Sequence, residues 1–129
     1  MSLVGIAPIA ASSAQTSSAI DTLGYNSATF VVSNGAATGT PSSYTVDAKV
    51  QECATSGGSY TDVSGATITQ ITADGGTKVI RVEGLGTSRQ RYLKIVVTPA
   101  LTGGTSPKAL IGATVNLGRA YNEPVGNTN

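Results

Sequence analysis

From Tyr44 to Gln51 the chain changes between apolar and polar at every residue. Tyr44, Val46, Ala48 and Val50 fall on one side of an extended backbone, and Thr45, Asp47, Lys49 and Gln51 on the other. A repeat of two is the period of a β-strand, whose successive side chains point to opposite faces. The stretch is therefore expected to be a strand with one face buried and one wet, as in an antiparallel sheet. A one-residue slip would invert both sets, so the pattern also fixes which face is which.

A second stretch, Arg91 to Thr98, is rich in β-branched and aromatic residues, with Leu93, Ile95 and Val97 on one face and Tyr92, Lys94 and Val96 on the other. Eight residues at strand rise span roughly 27 Å, long enough for the central strand of a small domain. Pro99 has no N–H and is expected to end the ladder. Shorter strand signals lie at Ala28–Val32, Tyr60–Val63, Ala66–Ile71, Thr77–Glu83 (Ile80 and Val82 inward) and Ala109–Leu117. In the last of these, Ile111, Ala113, Val115 and Leu117 face the core and Leu110, Gly112, Thr114 and Asn116 face out. Between them stand turn-forming stretches such as Gly24-Tyr25-Asn26, the loops 34–41 and 101–108, Ala54 to Ser59, Ala73-Asp74-Gly75-Gly76, and the connector Gly84 to Ser88. About seven short strands with regular turns and no helical period predict one antiparallel β-sandwich, of jelly-roll, immunoglobulin-like or barrel-like type.

With 129 residues the chain is expected to form one domain that buries roughly two-thirds of its unfolded surface. Residues 1–17 are set apart as an N-terminal arm. Leu3, Val4, Ile6 and Ile9 put four large aliphatic side chains into nine residues that show no clean periodicity. Such an arm folds back on its own domain, lies on a neighbouring subunit or frays, and it is expected to be separable from the sandwich of residues 18–119. Residues 120–129 form a polar tail that Pro124 keeps out of a sheet. The N-terminal run lacks a basic leader segment and is interrupted by Pro8, unlike a signal peptide, and no apolar run reaches the length of a membrane span.

Charged residues make up only 12% of the chain, about half the usual share, so 14 Ser, 18 Thr and 16 Gly must build much of the polar surface. A net charge of +1 offers no field to gather nucleic acid. The absence of His removes the commonest general base and zinc ligand, and one Cys leaves a transition-metal site without donors. No catalytic, metal or cofactor site is expected, and the chain is expected not to be an enzyme. Gly84-Leu85-Gly86 lacks the helix and basic partner of a phosphate loop and reads as a turn. Glu52 and Asp62 can meet across a hairpin, as a glycosidase pair does, or stand as two solvated acids. Cys53 reads as a small packed residue. Arg89 and Arg91, two apart, can bind an acidic partner or form ion pairs within the sheet.

Several segments, in order, resemble small β-sandwich virion proteins of tailed bacteriophages and prophages, of the capsid-decoration or minor head type. Ser18 to Val32 is similar to the family's opening of Ile-Asp, a Gly-aromatic turn and an apolar strand. Val50-Gln51-Glu52 with Gly57 to Val63 resembles its strand–loop–strand hairpin, although the acidic Asp-Gly loop usual there is replaced by Ala54-Thr55-Ser56-Gly57-Gly58. Arg91 to Thr98 resembles its Arg-Tyr-apolar-Arg/Lys-Val strand, and Ile111 to Arg119 its closing strand. The resemblance implies a structural protein that binds the capsid exterior and cements the head. Its partners would be the major capsid protein and copies of itself, with no direct nucleic-acid, membrane or small-molecule partner. It would be made in the bacterial cytoplasm and reside in the virion. A head–tail connector or tail protein is the structural alternative, and a carbohydrate-binding sandwich the alternative from another class. The expected contact residues are Leu3, Val4, Ile6 and Ile9 of the arm, with Arg89 and Arg91.

Overall fold

The computed structural model describes residues 2–85 and 87–118; the tail expected at 120–129 lies outside the described residues. It is an antiparallel β-sandwich of nine strands among the described residues: β1 (Ser2–Ala11), β2 (Gln15–Thr16), β3 (Ile20–Asp21), β4 (Ser27–Asn34), β5 (Ser43–Cys53), β6 (Thr61–Thr67), β7 (Thr77–Glu83), β8 (Tyr92–Thr102) and β9 (Ala109–Gly118). One sheet has the order β1-β9-β4-β7. In the other, β8 lies between β5 and the short strands β2 and β3, and β6 flanks β5.

The two strongest sequence signals pair with each other. Strands β5 and β8 match without interruption from Ser43–Thr102 to Cys53–Tyr92. Leu93, Ile95 and Val97 of β8 are fully buried, as are Val46 and Val50 of β5. Opposite them, the four-stranded sheet contributes Phe30, Val32, Ile111 and Val115. Tyr44 is only half-buried, because its hydroxyl reaches out of the core to Asp74 and to the Asn34 amide. Burial, then the Asp74 carboxylate, pushes this phenol up to about 12. Asn34 ties the two sheets at this end: its Nδ2 donates to the Tyr44 hydroxyl of β5 at 3.1 Å and to the Ala73 carbonyl at 3.1 Å, and its Oδ1 accepts the Gly76 N–H at 2.8 Å. Truncating Val97 to Ala is expected to cost about 1–3 kcal/mol through lost burial and a residual cavity. Chemical denaturation would measure it, and an unchanged midpoint would remove β8 from the core.

Three expectations are corrected. First, Pro99 does not end β8, which continues to Thr102. Val46, its partner, exchanges both backbone hydrogen bonds with Ile71 on its other side, at 2.8 and 3.0 Å. The Val46–Pro99 pair is therefore a non-hydrogen-bonded one, and the missing N–H faces the opposite edge. On that edge pairing with β2 stops at Val97. Second, the stretch set apart as an arm contains a strand of the four-stranded sheet. Strand β1 pairs with β9 from Ser2–Asn116 to Ala11–Ala109, and Ile6 and Ala11 enter the core. Its inward positions escape a period-two reading because the register shifts twice, between Val4 and Ile6 and between Ile6 and Ile9. After Ala11 the chain crosses to the second sheet, where Ser17 lies between β2 and β3. The Ser17 hydroxyl accepts the Ile95 N–H at 3.0 Å.

Third, in place of the two short strands expected at Tyr60–Val63 and Ala66–Ile71 stands one strand, β6, which ends at Thr67 and has an irregular register against β5, while Ile71 forms an isolated bridge with Val46; Gly65 within β6 adopts φ +78°. The connector at Gly84 is the turn the sequence predicts, and it also carries a core residue. Leu85 is fully buried, and the Gly84 carbonyl accepts the N–H groups of Thr87, Ser88 and Arg89 at 2.9–3.2 Å. The loops 34–41 and 101–108 close on each other through a Thr38–Lys108 bridge.

Candidate functional site

The two outer faces of the sandwich differ in chemistry. On the sheet built around β8, charges are present and partnered. Arg91 clamps Asp21 with two hydrogen bonds of 2.8 Å, and its guanidinium lies 5.1 Å from the Tyr92 ring. The Lys94 ammonium sits 4.5 Å over the Tyr60 ring. Asp62 accepts from Gln51 at 2.9 Å and pairs with Lys49 at 3.1 Å; the Gln51 amide, then Lys49, holds its carboxyl below the usual range. Gln70 donates to both Asp47 oxygens, at 3.1 and 2.9 Å.

The Arg91 hydrogen bonds, then the Leu23 N–H, lower the Asp21 pKa from 3.8 to about 2. A depressed acid stabilises the fold above its unfolded pKa and loses that contribution as pH falls through the folded value. Both side chains are nearly half exposed, so solvent screening keeps the contribution under about 1 kcal/mol. Asp21→Asn is expected to lower the Tm slightly at pH 7, and the gap to the wild type should close between about pH 4 and pH 2. A gap that persists below pH 2 would show that charge is not its origin.

The other outer face, formed by β1, β9, β4 and β7, is almost uncharged. The registers align one row across all four strands: Val4, Thr114, Val31, Val79. The next row is Ser2, Asn116, Thr29, Arg81, and near the far end Leu110 lies beside Ala10. Val4 is 67% exposed, Val79 57% and Leu110 42%. The charges that the outward positions carry among the described residues, Arg81 and Glu83, pair with each other at 2.6 Å. Residues of this kind hold no nucleophile or acid–base pair. They can be covered by another protein without stripping water from an unpaired charge, and each valine buried completely is worth roughly 1.5–3 kcal/mol before ordering costs.

The six residues expected at an interface do not form one patch. Val4 and Ile9 are exposed on β1, Leu3 is half-buried against the core, and Ile6 is buried. Arg89 pairs with Glu52 at 3.5 Å and Arg91 with Asp21, so the within-sheet alternative describes both arginines. Glu52 and Asp62 do not meet: Glu52 also accepts the Gln90 N–H at 3.0 Å, and Asp62 turns to Lys49 and Gln51. Cys53 is a buried free thiol. Among the described residues no cluster of three or more His, Cys, Asp or Glu side chains could hold a metal ion, and no helix is long and apolar enough to cross a membrane. Sequence reasoning missed Val31 and Val79 as surface residues. The signal for Val79 was available, since inward Ile80 and Val82 oblige it to face out.

No family model matches the chain, and no curated protein sequence matches it. Among solved structures, it is similar to the crystal structure of the SPBc2 prophage-derived protein YomS, at 14% sequence identity and a TM-score of 0.49, over 90% of this chain and 92% of that one.

Proposed function

We propose that this chain is a non-enzymatic structural protein of a tailed-bacteriophage virion, which binds the capsid exterior and cements neighbouring capsomers. The ordered segment resemblance between Ser18 and Arg119 supports the virion assignment. The observation that carries the mode of action is the uncharged row Val4–Thr114–Val31–Val79, set on the face opposite the ion-paired one. In this reading the uncharged face lies on the major capsid protein and the charged face meets solvent. The mechanism is area burial. A standard interface buries roughly 1,600 Å², and repetition at every equivalent site of a closed shell multiplies a modest single contact into large shell stability. Copies of the chain are its second partner. The absence of His and a charge near neutrality support a role without catalysis and without direct binding of nucleic acid.

The test is occupancy on particles stripped of the protein. Val4→Asp with Val79→Asp places carboxylates on exposed positions and should leave the Tm nearly unchanged. Buried against the shell, an unpaired carboxylate costs several kcal/mol, so binding should fall at least about a hundredfold. Full occupancy by the folded double variant would move the contact to another surface.

A further inference from the structure

We infer that the free edge of β7 is a self-association site, where the chain pairs antiparallel with β7 of a second copy to extend the four-stranded sheet across a two-fold axis. Four strand edges bound the two sheets among the described residues, and three of them are blunted. Strand β1 carries Pro8 and two register shifts. The edge beside β8 is split into β2 and β3, each two residues long. Strand β6 has an irregular register around Gly65. Such interruptions are the means by which proteins keep sheet edges from pairing. Strand β7 has none: it holds a continuous register with β4 from Thr77–Ser33 to Glu83–Ser27 and contains no Pro or Gly. Its inward lysine, Lys78, stands at the second position and leaves the strand beyond it unobstructed.

The direction of its backbone groups follows from the neighbouring bonds. The Asn34 N–H donates to the Gly76 carbonyl, while the next N–H, of Gly35, donates across β4 to Leu110. Residues in step with Gly76, namely Lys78, Ile80 and Val82, therefore bond to β4. The N–H and C=O groups of Thr77, Val79 and Arg81 point to the open side.

A second copy fits that edge better than an unrelated strand for three reasons. A two-fold axis at Ile80 sets Val79 opposite Arg81 of the second copy and Thr77 opposite its Glu83, so no like charges stand directly opposed; an axis at Arg81 would oppose two arginines. The same axis sets the outer faces of the two copies side by side in one sheet, with the row Val4–Thr114–Val31–Val79 running on into Arg81 and Thr29 of the second copy. The net charge of +1 lets two copies approach without appreciable repulsion. An isologous pair of this kind closes on itself and does not propagate. The inference specifies the self-association named in the proposed function, and it stands or fails independently of capsid attachment.

The experiment is the mass in solution of the full chain and two variants, by light scattering with size-exclusion chromatography. Arg81→Ala removes the exposed ion pair but keeps the outward N–H, and should stay dimeric. Arg81→Pro removes that N–H without touching the β4 ladder, and should be a folded monomer. A monomeric wild type, or a dimeric Arg81→Pro, would overturn the proposal. Should Arg81→Pro fail to fold, amide exchange in the wild type decides: Val79 and Arg81 N–H groups that are protected in concentrated solution and exchange on dilution support the pairing, and rapid exchange at every concentration refutes it.

Discussion

Removal of residues 1–11 is expected to abolish the cooperative melt of this protein or to lower its Tm by on the order of 20 °C. The deletion takes Ile6 and Ala11 out of the core and the half-buried Leu3 with them. It also strips β9 of its partner from Asn116 to Ala109. Burial of Ile6 alone is worth roughly 1.5–3 kcal/mol. With the smaller contributions of Leu3 and Ala11, and ladder bonds at roughly 0.5–1.5 kcal/mol net each, the loss is on the order of 5 kcal/mol or more. A domain of this size has only about 5–15 kcal/mol to lose. The newly bared edge would be β9, ten residues long and mostly apolar, which is a template for aggregation. Thermal circular dichroism with light scattering would measure both effects. A truncated chain that melts where the wild type does would show that β1 is dispensable, as the arm reading of the sequence expected.

Phe30→Ala is expected to cost about 3–5 kcal/mol and to lower the Tm by on the order of 10–20 °C. Phe30 is the single phenylalanine of a chain without tryptophan. It lies fully buried on β4, between Val115 of β9 and Ile80 of β7. Tyr25, Tyr44, Tyr60 and Tyr92 are each only partly buried, so among the described residues the interior is aliphatic packing around one ring. Small aliphatic neighbours held in two paired sheets cannot collapse into the space a ring vacates, which puts the cost near the upper end of the range. Phe30→Leu, which restores most of the volume, should recover more than half of the loss. Equal destabilisation by both substitutions would mean that ring shape and not volume sets the effect.

Where alternation was strict, the sequence made the fold legible. Strands β5, β7, β8 and β9 show their inward sets as written, half-buried Tyr44 apart, because one face of each meets the core. Strand β1 was illegible for a physical reason: two register shifts space its inward residues unevenly, at Leu3, Ile6 and Ala11. Leu85 was hidden because a turn built on the Gly84 carbonyl, and not a strand, delivers it to the core. Pro99 misled because the effect of a missing N–H depends on which edge it faces, and only pairing partners decide that. The candidate face was half legible. Leu110 and Thr114 could be assigned outward from β9 alone, and Val79 follows from its neighbours. Their alignment with Val4 and Val31 into one row is a matter of register between strands distant in sequence, which local pattern does not encode.

The central claim is that this sandwich coats a phage head with its uncharged face inward. Cryo-electron microscopy of intact phage particles purified from cells that express the protein tests it most directly. The account predicts hundreds of copies repeated over the capsid exterior, each with β1, β9, β4 and β7 against the shell and the Asp21–Arg91 and Lys94–Tyr60 pairs facing solvent. A bare shell, a single ring of copies at the portal vertex, or a coat with the charged face against the shell would contradict it.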